Sequence, residues 1–224
     1  MTADANGIAP APAATRPTLV ILLGAGALLG ITWSSSMRGW MVQLAGPDST
    51  FTWLGTFVGL ILPGAVVGAL LGWAEYLRRT HRRGRMWLAL SPLLFPTAAL
   101  SLPGAITTLV NTGQGGGAIG IALLGMLGGI ALSGRGPLWS RIPCGVVAFA
   151  LVPAAYLGPP MRPELDPATP LGAWSATNFS ALFVALAIAC AIPFRQSREG
   201  DDSEMKALSG AAVVRQPRDS VNLS

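Results

Sequence analysis

The sequence predicts an all-α polytopic membrane protein, a six-helix transmembrane bundle with a short outer interfacial helix. Three observations carry this. Six apolar stretches lack any Asp, Glu, Lys, Arg or His; thirteen of the fifteen basic residues fall on one side when the stretches are threaded alternately; and tryptophans cluster at the stretch boundaries. The composition agrees, with 51% hydrophobic residues against 11% charged. A net charge of +5 in a soluble chain would suggest nucleic acid, but here the arginines read as topology signals and contacts to anionic lipid, so nucleic-acid binding is discounted.

The stretches run over Thr18–Trp33, Phe51–Ala74, Met86–Val110, Ala118–Ser133, Ile142–Leu157 and Thr177–Phe194. A hydrocarbon core of ~30 Å needs roughly 20 helical residues, so spans two and three suffice alone while one, four and five need flanking residues. None has the polar stripe that water would reward. The segmentation is therefore a leader over 1–17, a transmembrane domain over 18–194 and a tail over 195–224, with leader and tail expected to be largely disordered.

Orientation follows from positive charge retained in the cytoplasm. Arg78, Arg79, Arg82, Arg83 and Arg85 mark the break between spans two and three as internal; alternation then places Arg16, Arg135, Arg141 and the tail inside, and only Arg38 and Arg162 outside. Both termini are expected to be cytoplasmic. Trp33, Trp40, Trp53 and Trp174 fall at the outer boundary and Trp73, Trp87 and Trp139 at the inner, with none mid-span. The arginine bias and abundant Ala, Gly and Pro suggest a bacterial plasma membrane. A cleavable signal peptide is the alternative for span one, but no small-x-small site precedes Trp33 and an uncleaved span is expected.

Within the spans, glycine and alanine recur at spacing four: Gly26/Gly30, Gly55/Gly59, Gly64/Gly68/Gly72, Gly125/Gly129 and Ala185/Ala189. Such faces admit close backbone approach, either inside a bundle or between copies. Proline breaks the helical ladder at Pro63, at Pro92, Pro96 and Pro103, and at Pro153. Freed carbonyls in hydrocarbon must be covered, so span three is expected inside the bundle, with nearby hydroxyls taking up its carbonyls. The competing reading lines a solute path with Ser91, Ser101, Thr107, Thr108 and Asn111. No ionisable residue lies mid-span, which lowers ion-coupled transport and intramembrane acid–base chemistry. The Gly-rich break 111–117 lacks the Lys-Ser/Thr of a phosphate loop and reads as a hairpin.

Cys144 and Cys190 are expected to be free thiols at similar depth on the reducing side. The single histidine, His81, sits among arginines, so neither a Ser/His/Asp set nor a metal or cofactor site is expected.

The outer face holds what chemistry there is. Met37, Trp40, Met41 and Leu44 follow helical spacing and predict a separate interfacial helix ended by Gly46-Pro47, with Asp48 or Ser49 capping span two. The proline-rich loop Gly158–Ser175 adds Arg162, Glu164, Asp166 and Trp174. Arg38, Asp48, Arg162, Glu164, Asp166 and Trp174 are the candidate ligand- or partner-binding residues, with Arg38 expected to meet lipid phosphate, Glu164 or Asp166. The expected function is a non-catalytic membrane component packing with lipid, a protein partner or further copies of itself. A small permease or channel subunit along spans two and three is the alternative, and a membrane enzyme with outer-face chemistry comes third.

Overall fold

In the computed structural model, residues 18–195 are described apart from His81, Arg83, Gly113, Gln114, Arg135 and Met161. The expectations for the leader and for the tail beyond Arg195 lie outside these residues. Every regular element among them is helical: α1 (Leu19–Ala45), α2 (Leu62–Arg79), α3 (Leu94–Leu100), α4 (Ala105–Thr112), α5 (Gly116–Leu132), α6 (Leu138–Phe149), α7 (Leu151–Leu157) and α8 (Pro170–Ala191). A π-helical segment, Trp53–Ile61, runs into α2, and a 3₁₀ segment, Arg85–Leu93, runs into α3.

Four helices are long and apolar enough to cross a membrane: Leu19–Ala45, Trp53–Arg79, Leu138–Leu157 and Pro170–Phe194. Met86–Leu100 and Ala105–Asn111 make a fifth only if taken as one span bent by 92°. The 17 residues of α5 reach about 25 Å, short of a ~30 Å core. The count is therefore four to five candidate spans. Twelve of the first span's residues, 34–45, were expected elsewhere, because α1 continues unbroken through the stretch read as an interfacial helix. No residue between Trp33 and Met37 breaks the ladder, and packing of the stripe removes any reason to bend. Met37 is buried and Trp40 stacks on Phe179 of α8 with ring centroids 4.5 Å apart, so the stripe faces the bundle rather than the headgroup plane.

Two seams of small residues hold the helices together. On the first, α1 and α2 run antiparallel in reciprocal contact. A Cβ added at Gly26 would strike the Gly68 carbonyl, one at Gly30 the Gly64 carbonyl, and one at Gly72 the Leu22 carbonyl. Backbones this close gain dispersion contacts and Cα–H···O interactions that larger side chains would forbid. On the second, Gly125 meets Leu186, Gly128 meets Ala187 and Gly129 meets Cys190, joining α5 to α8. The spacing-four glycines thus act within one chain here.

Core packing lies between the seams. Val67, Leu71 and Phe95 form its centre, with Trp33, Leu60 and Ala189 against them. Trp33 corrects the expectation of boundary tryptophans: it lies near the middle of α1, stacks obliquely on Phe95 at 5.3 Å and donates its indole N–H to the Leu182 carbonyl at 2.8 Å. An indole can be interior because its one donor is satisfied. Trp53, Trp87 and Trp139 remain largely exposed.

Span three departs furthest from a straight helix. Pro92 removes a donor and the chain before it winds as 3₁₀, while Ser101–Gly104 forms the bend, with Gly104 at φ +76°. The hydroxyls bond carbonyls of their own helix, though not those of Leu88, Pro92 or Ala99, whose i+4 donors the prolines remove, so the expected capture of the freed carbonyls is not made. Thr97 donates to the Leu93 and Leu94 carbonyls, Ser101 to Thr97 O and Thr108 to Gly104 O. Burial, however, covers only its first half: Phe95 and Pro96 are buried, whereas Ile106 and Val110 on α4 are exposed. In span two, the wide winding ahead of Pro63 carries the bond from Leu62 N–H to Phe57 O, and Gly59 admits Leu102 from the bend of span three.

The pairings also sort the charges. Because α1 is antiparallel to both α2 and α8, and α5 meets the end of α8 through Gly129 and Cys190, residues Arg78, Arg79, Arg82, Arg141 and Arg195 gather at one end of the bundle. Arg141 closes the α5–α6 turn by donating to Ala131 O at 3.0 and 3.2 Å. Arg38 and Arg162 lie at the opposite end. Cys190 is buried on Gly129, and Gly145, beside Cys144, packs on Ala131; both thiols are free and border the last turns of α5.

Candidate functional site

The candidate outer residues divide into two groups rather than forming one cleft. Arg38 serves the turn between α1 and span two. Its guanidinium donates to the Thr50 carbonyl at 2.5 Å and to Ser49 Oγ at 3.4 Å, and lies over the Phe51 ring at 4.4 Å. A cation over an aromatic face is an attractive arrangement in itself. Glu164 and Asp166 are elsewhere, so the expected Arg38–carboxylate contact is not made. The reason is that α1 continues as a rigid helix and aims Arg38 at its own downstream turn. Capping also differs from expectation: Thr52 receives the Gly55 N–H at 3.0 Å, while Ser49 is taken by Arg38. Asp48 ends a one-turn 3₁₀ segment, Gly46–Asp48; its side chain lies outside the described set.

Arg162 is the residue that links the two outer loops. It donates to the Gln43 carbonyl at 3.3 Å, faces Glu164 at 3.6 Å and packs on Gly46, where a Cβ would collide with the guanidinium. With its side chain only 33% exposed, it is held against the bundle rather than solvated in the loop. Glu164 is 61% exposed, so its pairing with Arg162 is worth little by itself. Asp166 organises the start of α8: its carboxylate accepts from Ala168 N–H at 2.8 Å, and its carbonyl accepts from Thr169 Oγ, which in turn receives the Gly172 N–H. Trp174 is half exposed on the first turns of α8.

Beneath this loop is an apolar recess of about 240 Å³ between Trp40, Leu44, Leu165 and Phe179. It suits packing better than polar recognition. The Arg pair therefore separates by substitution. Arg162→Ala should loosen the loop 158–169 and lower thermal stability by roughly 1 kcal/mol, since a half-buried charged hydrogen bond is lost. Arg38→Ala should instead loosen the turn at 49–51. Protease nicking within each loop distinguishes them, and cleavage that ignores both substitutions would contradict these assignments.

A different constellation was passed over in the sequence. Glu75 sits three residues before Arg78 and four before Arg79, the spacing that places all three on one helix face. Its carboxylate receives Arg78 Nε and Nη2 at 2.7 Å and Arg79 Nε at 2.6 Å. It also closes one end of a groove of about 470 Å³, walled by Leu22 and Leu29 of α1 and by Leu182 and Ala185 of α8, with the glycines of α2 as floor. The i, i+3, i+4 charge pattern was legible; the groove was not, because three helices far apart in sequence build it.

By fold and surface the chain is a helical protein with several membrane-length apolar helices. Comparison with family models, curated proteins and solved structures gives no match.

Proposed function

We propose that this chain is a non-catalytic component of a bacterial plasma membrane, built on six spans with both termini cytoplasmic, that packs with lipid or partner subunits. The observation that carries the reading is the distribution of its surfaces. Backbone-close glycine seams bind the helices to one another, while large apolar side chains such as Val20, Leu28, Leu29, Val146 and Leu157 point outward, as they do where lipid is the solvent. The gathering of Arg78, Arg79, Arg82, Arg141 and Arg195 at one end supports a cytoplasmic assignment of that end. In the six-span form, α5 crosses with help from flanking residues and the bent pair crosses as one broken span.

The second reading is a permease or channel subunit along spans two and three. It is favoured by the 92° bend and by Ser91 Oγ, which is buried without a hydrogen-bond partner. Against it, the hydroxyls of Thr97, Ser101 and Thr108 are engaged by their own helix carbonyls.

Single-cysteine labelling in intact cells, in a background lacking Cys144 and Cys190, tests both. Arg82→Cys and Ser140→Cys should be protected from a membrane-impermeant maleimide, and Ser49→Cys, Gly116→Cys and Pro167→Cys should react. Reaction at residue 82 would reverse the topology. Cysteines at Ser91, Ser101 and Thr108 should stay unlabelled; continuous labelling of all three would favour the solute path.

A further inference from the structure

We propose that the groove between α1, α2 and α8 is a binding site for one anionic glycerophospholipid, an acyl chain lying in the groove and the headgroup phosphate at the arginine-bearing end. The inference rests on the membrane-embedded reading above and adds a defined ligand class and place to it.

The shape suits a chain. Along α1 the groove extends from Leu22 to Ser36, about 20 Å of helix, comparable with the roughly 15 Å depth of one hydrocarbon leaflet. Its volume of about 470 Å³ is that of a ligand site rather than a packing flaw. The groove opens outward beside Leu29, which is 70% exposed, so a lipid enters sideways from the bilayer. Thr32, at the end remote from Glu75, returns its hydroxyl to Leu28 O, which leaves that wall apolar in character.

Charge decides the headgroup. At the closed end a single carboxylate among the described residues, Glu75, stands between two guanidiniums, Arg78 and Arg79. Arg82 and Arg195 are exposed at the same end, and Arg195 is tied to the groove wall through its N–H to Ile192 O at 3.3 Å. Among the described residues the cluster is therefore net positive. A guanidinium carries five donors, of which Glu75 engages one on Arg79, and that side chain is 46% exposed. Glu75 thus orients the pair, and a phosphate diester with an uncharged glycerol head complements the surplus. A choline head would set a cation against Arg79 and Arg195 and lose that advantage. Basic pockets between helices at one membrane face recognise lipid heads by this balance.

The full-length chain, purified in mild detergent, is mixed with equimolar phosphatidylglycerol and phosphatidylcholine of identical acyl chains and read by native mass spectrometry. The expected result is preferential retention of one phosphatidylglycerol, by about fivefold for each arginine that contributes. Arg79→Gln, Arg82→Gln and Arg195→Gln together should bring retention of the two lipids level, and Ala185→Phe, which fills the groove, should lower both. Thermal unfolding of each variant confirms that it remains folded, and the charge variants, being exposed, keep the test available should Ala185→Phe misfold. Equal retention of the two lipids by the unsubstituted chain would overturn the proposal, as would a preference that survives the three glutamine substitutions. A dimer lost on filling the groove would name a second copy as the occupant and overturn it too. Failure of the membrane reading is separate: the chain would then leave membranes on alkaline extraction.

Discussion

Gly30→Ala and Gly68→Ala should each destabilise the protein strongly, whereas Gly24→Ala on the same helix as Gly30 should be neutral or slightly stabilising. All three changes add one methyl group. At Gly30 it meets the Gly64 carbonyl and at Gly68 the Gly26 carbonyl, both backbone groups that cannot swing aside, while at Gly24 nothing lies within 4 Å. Forcing the two backbones apart costs about 2–3 kcal/mol at either site and forfeits the close contacts along the whole seam. At Gly24 the helix gains roughly 0.5–1 kcal/mol from the lost flexibility of glycine. The two damaging changes act on one seam, so their combination should cost less than twice the single effect. Thermal unfolding in detergent compares the native chain with all four variants. Equal melting of Gly30→Ala and Gly24→Ala would show that α1 and α2 do not meet through these faces.

Trp33→Ala should have the largest effect of any single truncation, about 3 kcal/mol, because a large interior side chain leaves a cavity at the centre of the bundle. Trp33 touches Phe95 and donates to Leu182 O, so it ties α1 to both α3 and α8. Trp33→Phe retains most of the ring contact and loses the indole hydrogen bond, for about 1 kcal/mol. The ordering Ala far below Phe, with Phe slightly below the native residue, is the expected result in a melting series. If Trp33 instead sat at the headgroup level, Ala and Phe would differ little from the native residue in stability and more in membrane depth. Quenching of Trp33 fluorescence by lipids brominated at different depths distinguishes these outcomes.

Much of this architecture is written locally. Apolar runs free of charge could only be membrane-length helices or their pieces, because an unpaired backbone in hydrocarbon is too costly. Glycines at spacing four announced close-packed faces, and Pro92, Pro96 and Pro103 announced a broken span. The end-to-end segregation of arginine was legible in the same way, since alternation along a chain of hairpins is a property of order alone.

Other features were settled only when helices met. Whether glycine faces pair within a chain depends on which helices are neighbours; here Gly26 and Gly30 find Gly64 and Gly68, and Gly125 and Gly129 find Leu186 and Cys190. Met37 and Trp40 have the spacing of an interfacial helix, yet α8 supplies Phe179 as a partner and the stripe turns inward on an unbroken α1. Arg38 misses its expected carboxylate and Arg162 ties the outer loop to α1 for a similar reason: a long side chain takes its contact from the element it reaches, Thr50 for the first and Gln43 for the second. The groove ending at Glu75 is the clearest case, since its walls come from residues 22–36 and 182–192 and its floor from 64–75. Periodicity records the face a helix presents, because that is a property of neighbouring residues; what fills or lines that face is set by distant segments, and only the folded bundle brings them together.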